Sequence, residues 1–125
     1  MKVAFFSSEV YPFAKTGGLA DVAGALPLAL AQQGVDVRIV MPQYAGIEPE
    51  ERFTDWGRTR LADTVEVLFI RHDMFYKRDG LYGSAQGDYP DNLLRFSFLC
   101  KQGMTVLREQ GFKADIYHAN DWQTA

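Results

Sequence analysis

Residues able to bind charge or exchange hydrogen bonds with a ligand gather at two places in this chain. The first is Lys15-Thr16-Gly17-Gly18-Leu19. Consecutive glycines let a backbone approach a ligand closely, and a helix starting there offers free N–H groups at the positive end of its dipole. Lys15 adds a mobile cation two residues earlier. The set suits a diphosphate, although a tight turn beside an exposed lysine uses the same residue types. The spacing is neither G-x-G-x-x-G nor G-x-x-x-x-G-K-S/T, so neither nucleotide fingerprint applies. Asp21 falls in the first turn of the same expected helix. A carboxylate there either complements the dipole or accepts hydrogen bonds from sugar hydroxyls.

The second place is His118-Ala119-Asn120-Asp121-Trp122. Asn120 and Asp121 can exchange hydrogen bonds with a sugar, with Trp122 as a stacking wall. Equally, Asn120-Asp121 would cap a following helix and Trp122 would fill core. The other candidates point away from chemistry. His72 and His118 lack metal-ligand spacing and the single cysteine adds no second ligand, so no metal is expected. Cys100 lies on the apolar face of its helix, which favours packing over nucleophilic chemistry. Arg71, His72, Phe75, Tyr76, Lys77 and Arg78 form a small basic–aromatic patch, expected as solvated loop surface. Glu48, Glu50 and Glu51 read as a solvated turn.

The elements that must position these residues follow from periodicity. Val3 to Ser7 is a short apolar run, the pattern of a strand covered on both faces. Leu19, Val22, Ala23, Leu26 and Leu30 then recur at helical spacing, with Pro27 expected to bend the helix and Gly34 to end it. Val35 to Met41 is a second strand stopped by Pro42, and Val65 to Ile70 a third, with residues 51–62 expected to pair beside it. Residues 73–91 hold three glycines, a proline and four aromatics, and read as an ordered excursion. Leu93, Phe96, Leu99, Cys100, Met104 and Leu107 mark a long helix closing near Gly111. Ala114 to Tyr117 starts a last strand. Strand, glycine loop, helix, strand is the order of a doubly wound, mostly parallel α/β sheet.

Composition narrows the function classes. With 13 basic against 16 acidic residues the net charge is −3, without the basic stripe that nucleic acid requires. No run approaches the roughly 20 apolar residues that span a bilayer. One cysteine and the lack of a signal-peptide pattern favour a reducing cytoplasm.

The stretch Ser8-Glu9-Val10-Tyr11-Pro12-Phe13-Ala14-Lys15-Thr16-Gly17-Gly18-Leu19-Ala20-Asp21-Val22 closely resembles the start of bacterial glycogen synthases and plant starch synthases. The likeness continues through Gly24-Ala25-Leu26-Pro27 and Arg38-Ile39-Val40-Met41-Pro42. It returns at Gly80-Leu81-Tyr82-Gly83, Asp91-Asn92-Leu93-Leu94-Arg95-Phe96 and His118 to Ala125, in order along the whole chain.

That resemblance implies a retaining glucosyltransferase of the two-Rossmann-domain GT-B type. Such an enzyme moves glucose from ADP-glucose to the non-reducing 4-hydroxyl of an α-1,4-glucan. By resemblance, Lys15, Gly17 and Gly18 contact the donor's diphosphate, and Asp21 and Asp121 are acceptor-side carboxylates. Thr16 and Asn120 are possible site-lining residues. No cofactor or metal is expected, because lysine and arginine take over the role of a cation. The family works in the cytoplasm, or in the plastid in plants, although no transit peptide is evident.

Many family members read His-Asp-Trp-His where this chain has Asn120-Asp121-Trp122-Gln123. Residues 1–125 are expected to be a truncated N-terminal synthase domain, an incomplete Rossmann-like half. The family's active-site histidine and its nucleotide-sugar-binding second domain lie outside them, so the piece alone is expected to be inactive. Two other readings stay open: a GT-B transferase using UDP-glucose, and a non-catalytic glucan- or nucleotide-binding fragment. A phospho-receiver module is disfavoured, because Ser7-Ser8 precede only the single Glu9 where such modules need an acidic cluster.

Overall fold

The apolar runs pair side by side. In the computed structural model, which describes residues 1–125, β1 (Lys2–Phe6) is buried from Val3 to Phe6 without alternation. Strands covered on both faces show this pattern. After β1 come α1 (Gly18–Gln32), β2 (Asp36–Pro42), β3 (Glu51–Arg52), β4 (Trp56–Leu61) and β5 (Val65–Ile70). The chain continues through α2 (Asp73–Tyr76), β6 (Gly83–Ser84), β7 (Gly87–Asp88), α3 (Asn92–Glu109), β8 (Ile116–Ala119) and α4 (Asp121–Thr124).

Six strands form one sheet in the order β3-β4-β5-β2-β1-β8. The pairs β5–β2, β2–β1 and β1–β8 are parallel, and β3 and β4 add an antiparallel edge. This is the mostly parallel α/β sheet expected; within residues 51–62, Trp56–Leu61 pair with β5 and Glu51–Arg52 pair with β4 instead. Crossovers leave the central strands in opposite directions through α1 and α3. Right-handedness then puts these helices on opposite faces.

α1 differs from its predicted stripe. Ala20, Ala23 and Pro27 are its buried residues, whereas Val22 is 52% exposed. Small side chains let the helix axis come close to the sheet, which turns Val22 outward and leaves Leu26 and Leu30 as flanks. Gly34, at φ +86°, ends the helix, with Val35 N–H donating to the Leu30 carbonyl at 3.1 Å. α3 crosses β1 and β2 at Gly103, where an added Cβ would lie 2.7 Å from both the Phe6 ring and Val40.

Two other expectations need correcting. The last strand begins two residues later than predicted, because Asp115 ties β8 to the start of β1 first. Its N–H donates to the Lys2 carbonyl, and its carboxylate accepts from the Lys2 N–H, both at 2.8 Å. The basic–aromatic patch is only in part solvated surface. Tyr76 is fully buried and donates its hydroxyl to the Arg95 carbonyl at 2.6 Å. His72 stacks on Phe75 at 4.0 Å, accepts its N–H, and so caps α2. Arg78 forks onto Asp91 at 2.9 and 2.7 Å. The 73–91 excursion is thus ordered by α2 and the β6–β7 hairpin.

Candidate functional site

β1 and β8 are parallel neighbours, yet one leads away to β2 and the other is reached from β5 on the far side. Open α/β sheets bind ligands at the carboxyl ends of strands around such a reversal. Both groups singled out in the sequence lie there: Lys15 to Leu19 at the end of the loop that follows β1 and the start of α1, and His118 to Trp122 at the end of β8 and just beyond it.

The segment after β1 first turns inward. Ser7, Ser8, Glu9 and Val10 are all buried. The Glu9 carboxylate accepts from the Thr16 N–H (2.6 Å), the Thr16 hydroxyl (2.7 Å), the Gly17 N–H (3.3 Å) and the Tyr82 hydroxyl (2.5 Å). Burial alone would push its pKa up, but the hydrogen bonds from Tyr82, Thr16 and Gly17 outweigh it and hold the pKa below the ordinary 4.5. Burial, followed by the bond to Glu9, pushes the Tyr82 phenol well above its usual range, so it remains a neutral donor. Sequence reading missed Glu9, because its partner Tyr82 lies 73 residues away. The one available signal was that Glu9 and Tyr82 both fall within the motifs that carry the resemblance.

Beyond this anchor the loop is exposed. Lys15 Nζ lies 2.7 Å from both carboxylate oxygens of Asp21, with side chains 47% and 55% exposed. Two residues assigned by resemblance to opposite substrates therefore form one surface ion pair. A Cβ added at Gly17 or Gly18 would meet nothing within 4 Å, and Gly17 is extended at φ −163°. Neither crowding nor backbone conformation inside the chain requires glycine at 17. Glu9 takes the N-cap amide of Gly17, and no side chain caps the N–H groups that follow it in α1. Gly24 does have an internal reason, since a Cβ there would lie 2.7 Å from the Tyr11 carbonyl oxygen. That close approach, with Tyr11 N–H donating to the Ala20 carbonyl at 3.0 Å, locks the loop onto α1. Thr16 donates both its amide and its hydroxyl to Glu9, so it anchors the loop while remaining exposed at the edge.

After β8, Asn120 is buried and donates its side-chain amide to the Phe6 carbonyl at 2.8 Å. It neither caps α4 through its side chain nor lines the edge. Its work is to tie the two strand ends together, helped by Thr124, whose hydroxyl lies 2.7 Å from the Asn120 nitrogen. Asp121 is exposed at φ +62°, a left-handed conformation that costs a non-glycine residue energy and recurs at functional sites. Its carboxylate accepts only the neighbouring Trp122 N–H, at 2.8 Å. Trp122 is 57% exposed rather than core, with its ring 5.7 Å from Phe96 and 6.0 Å from Tyr82. His118 stacks on Phe5 at 4.7 Å and makes no polar contact with the site. No three His, Cys, Asp or Glu side chains are grouped to hold a metal ion.

The reversal thus presents a cation and an uncapped helix start on one side, and an exposed carboxylate beside an indole face on the other. The first pair can hold an anion, and the second a hydroxylated ring.

Comparison with known proteins shows the family and the fold. The sequence profile of the starch synthase catalytic domain matches residues 2–125. A glycogen synthase of Geotalea daltonii is 43% identical over 100% of the chain, and one of Syntrophotalea carbinolica is 46% identical over 99%. The chain spans 29% of the length of each of these relatives. Among solved structures, the catalytic domain of starch synthase IV from Arabidopsis thaliana, bound to ADP and acarbose, superposes with a TM-score of 0.79. It is 29% identical and covers 98% of this chain, which in turn covers 28% of it.

Proposed function

This chain belongs to the starch synthase catalytic domain family, and from that membership we propose that the full protein is a glycogen or starch synthase. It transfers glucose from ADP-glucose to the non-reducing 4-hydroxyl of an α-1,4-glucan, with retention at the anomeric carbon. The observation that carries this reading is the Lys15–Gly18 edge, where a cation, an uncapped helix and two glycines stand together at the sheet's reversal. A departing ADP develops negative charge on its diphosphate. A lysine and oriented amides stabilise that charge in the transition state without a metal.

Lys15, Gly17 and Gly18 are therefore assigned to the donor diphosphate, and Asp21 and Asp121 to acceptor hydroxyls. Trp122 offers its exposed face to a sugar ring. The ADP and acarbose in the related plant structure, a nucleotide and an oligosaccharide, support a site with these two halves. The protein is assigned to the cytoplasm and to no nucleic-acid partner, and none of its helices is long and apolar enough to cross a membrane.

The test is transfer of labelled glucose into glycogen by the full-length protein, from ADP-glucose and from UDP-glucose, with and without EDTA. Incorporation from ADP-glucose, unaffected by EDTA, is expected. Strong preference for UDP-glucose would move the protein to the related transferase class, and binding without transfer would make it a glucan-binding module.

A further inference from the structure

We propose that Tyr82 is a positioning residue of the donor site: through Glu9 it fixes the Thr16–Gly17 backbone that presents Lys15 and the start of α1 to the diphosphate. The inference rests on the donor-site reading above.

Tyr82 is itself held independently of its hydroxyl. Its carbonyl accepts from the Asn92 side-chain amide and from the Tyr89 N–H, each at 2.9 Å. Asn92 is held in turn by the fully buried Arg95, whose guanidinium donates to the Asn92 Oδ1 at 2.8 Å and to the Leu81 carbonyl at 2.9 Å. α3 and the 73–91 excursion thus deliver one phenol to a fixed point. There its hydroxyl lies 2.5 Å from a Glu9 carboxylate oxygen and 2.7 Å from the Ser8 hydroxyl. The other Glu9 oxygen takes the Thr16 and Gly17 amides.

Residues 15–18, which this anchor controls, are all exposed. They add little to the core, so fixing them serves what binds to them more than it serves the fold. The Tyr82 ring also lies 6.0 Å from Trp122, placing one side chain between the donor edge and the Asp121 loop. Removing only the hydroxyl leaves that packing in place. It deprives a buried carboxylate oxygen of a donor, a deficit the loop relieves by shifting.

The experiment uses the full-length protein with Tyr82→Phe, Glu9→Gln and the double variant. Hydrogen exchange at the Thr16 and Gly17 amides should accelerate in both single variants. The KM for ADP-glucose should rise roughly tenfold, the loss expected for a hydrogen bond to a charged group. The glucan KM and kcat should change little in either, the thermal midpoint should change little in Tyr82→Phe, and the double variant should raise the donor KM no more than Glu9→Gln alone. Unchanged exchange at Thr16 and Gly17 in Tyr82→Phe overturns the proposal. So does a lowered thermal midpoint with an unchanged donor KM, or additive losses in the double variant. If the unmodified protein uses no nucleotide sugar, the functional reading fails instead, and amide exchange still decides whether Tyr82 positions the loop.

Discussion

Lys15 and Asp21 hold each other at 2.7 Å while both remain about half exposed. A pair of that exposure contributes about 0–1 kcal/mol, so passing Lys15 from Asp21 to a diphosphate costs little. Lys15→Ala in the full-length protein is therefore expected to lower kcat/KM for ADP-glucose about 100-fold, with stability within about 1 kcal/mol of wild type. Donor kinetics matching wild type would remove Lys15 from the site. At Asp121 backbone and charge can be separated. Asn tolerates the left-handed φ of +62°, whereas Ala pays about 1–2 kcal/mol for it. Glucan elongation should fall in both Asp121→Asn and Asp121→Ala, but chemical unfolding should show a stability loss in Ala alone. Full elongation by the Asn variant would deny the carboxylate its acceptor role. The place of Lys15, the glycines and Asp121 at the sheet's edge was legible in the sequence because their neighbours mark a strand end and a helix start. Glu9, Asn120 and the anchoring role of Thr16 were not. Whether a polar side chain turns inward depends on partners such as Tyr82 and the Phe6 carbonyl, which adjacent residues do not reveal.

At the scale of elements, α1 brings the site together, and the glycine at its N-cap and the one within it serve different ends. Gly24 lets the helix pack against the Tyr11 carbonyl, while Gly17 faces open space. Gly24→Ala should destabilise by about 1–3 kcal/mol through overpacking, less the roughly 1 kcal/mol that alanine adds to a helix. It should also raise the donor KM by parting the loop from the helix. Gly17→Ala should leave the unfolding midpoint unchanged and weaken only donor binding. Equal stability losses at both sites would refute this division. Helical spacing identified α1 and α3, but not which side of α1 faces the sheet. The rotation toward Ala20, Ala23 and Pro27 is set by how closely small residues can approach β-strands. The start of β8 was misplaced for a similar reason, since its register is fixed by Asp115 against Lys2 rather than by its own apolar residues.

For the whole molecule, the order of elements was readable from apolar runs punctuated by glycine, but the neighbour that β8 chooses was not. That choice, beside β1 instead of at the opposite end of the sheet, creates the reversal and brings residues 7–18 and 120–122 to one place. The structure pays for the reversal with a buried carboxylate, and this gives the molecule a pH signature. Glu9 has a folded-state pKa below its ordinary 4.5, so its contribution is fully present above that value and is lost as pH falls through the folded pKa. Unfolding by urea, followed by fluorescence of Trp56 and Trp122, should show the wild type losing stability steeply below pH 4.5. Glu9→Gln should be less stable at pH 7 and should lose less stability through the same acid range, because no proton binds at residue 9 in either state, while Asp91, held low by its hydrogen bond from Arg78, still titrates in both proteins. The two stability curves should therefore converge as pH falls. Curves that stay parallel would mean that Glu9 is not held as an anion by Tyr82, Thr16 and Gly17, and the anchoring of residues 15–18 would need another source.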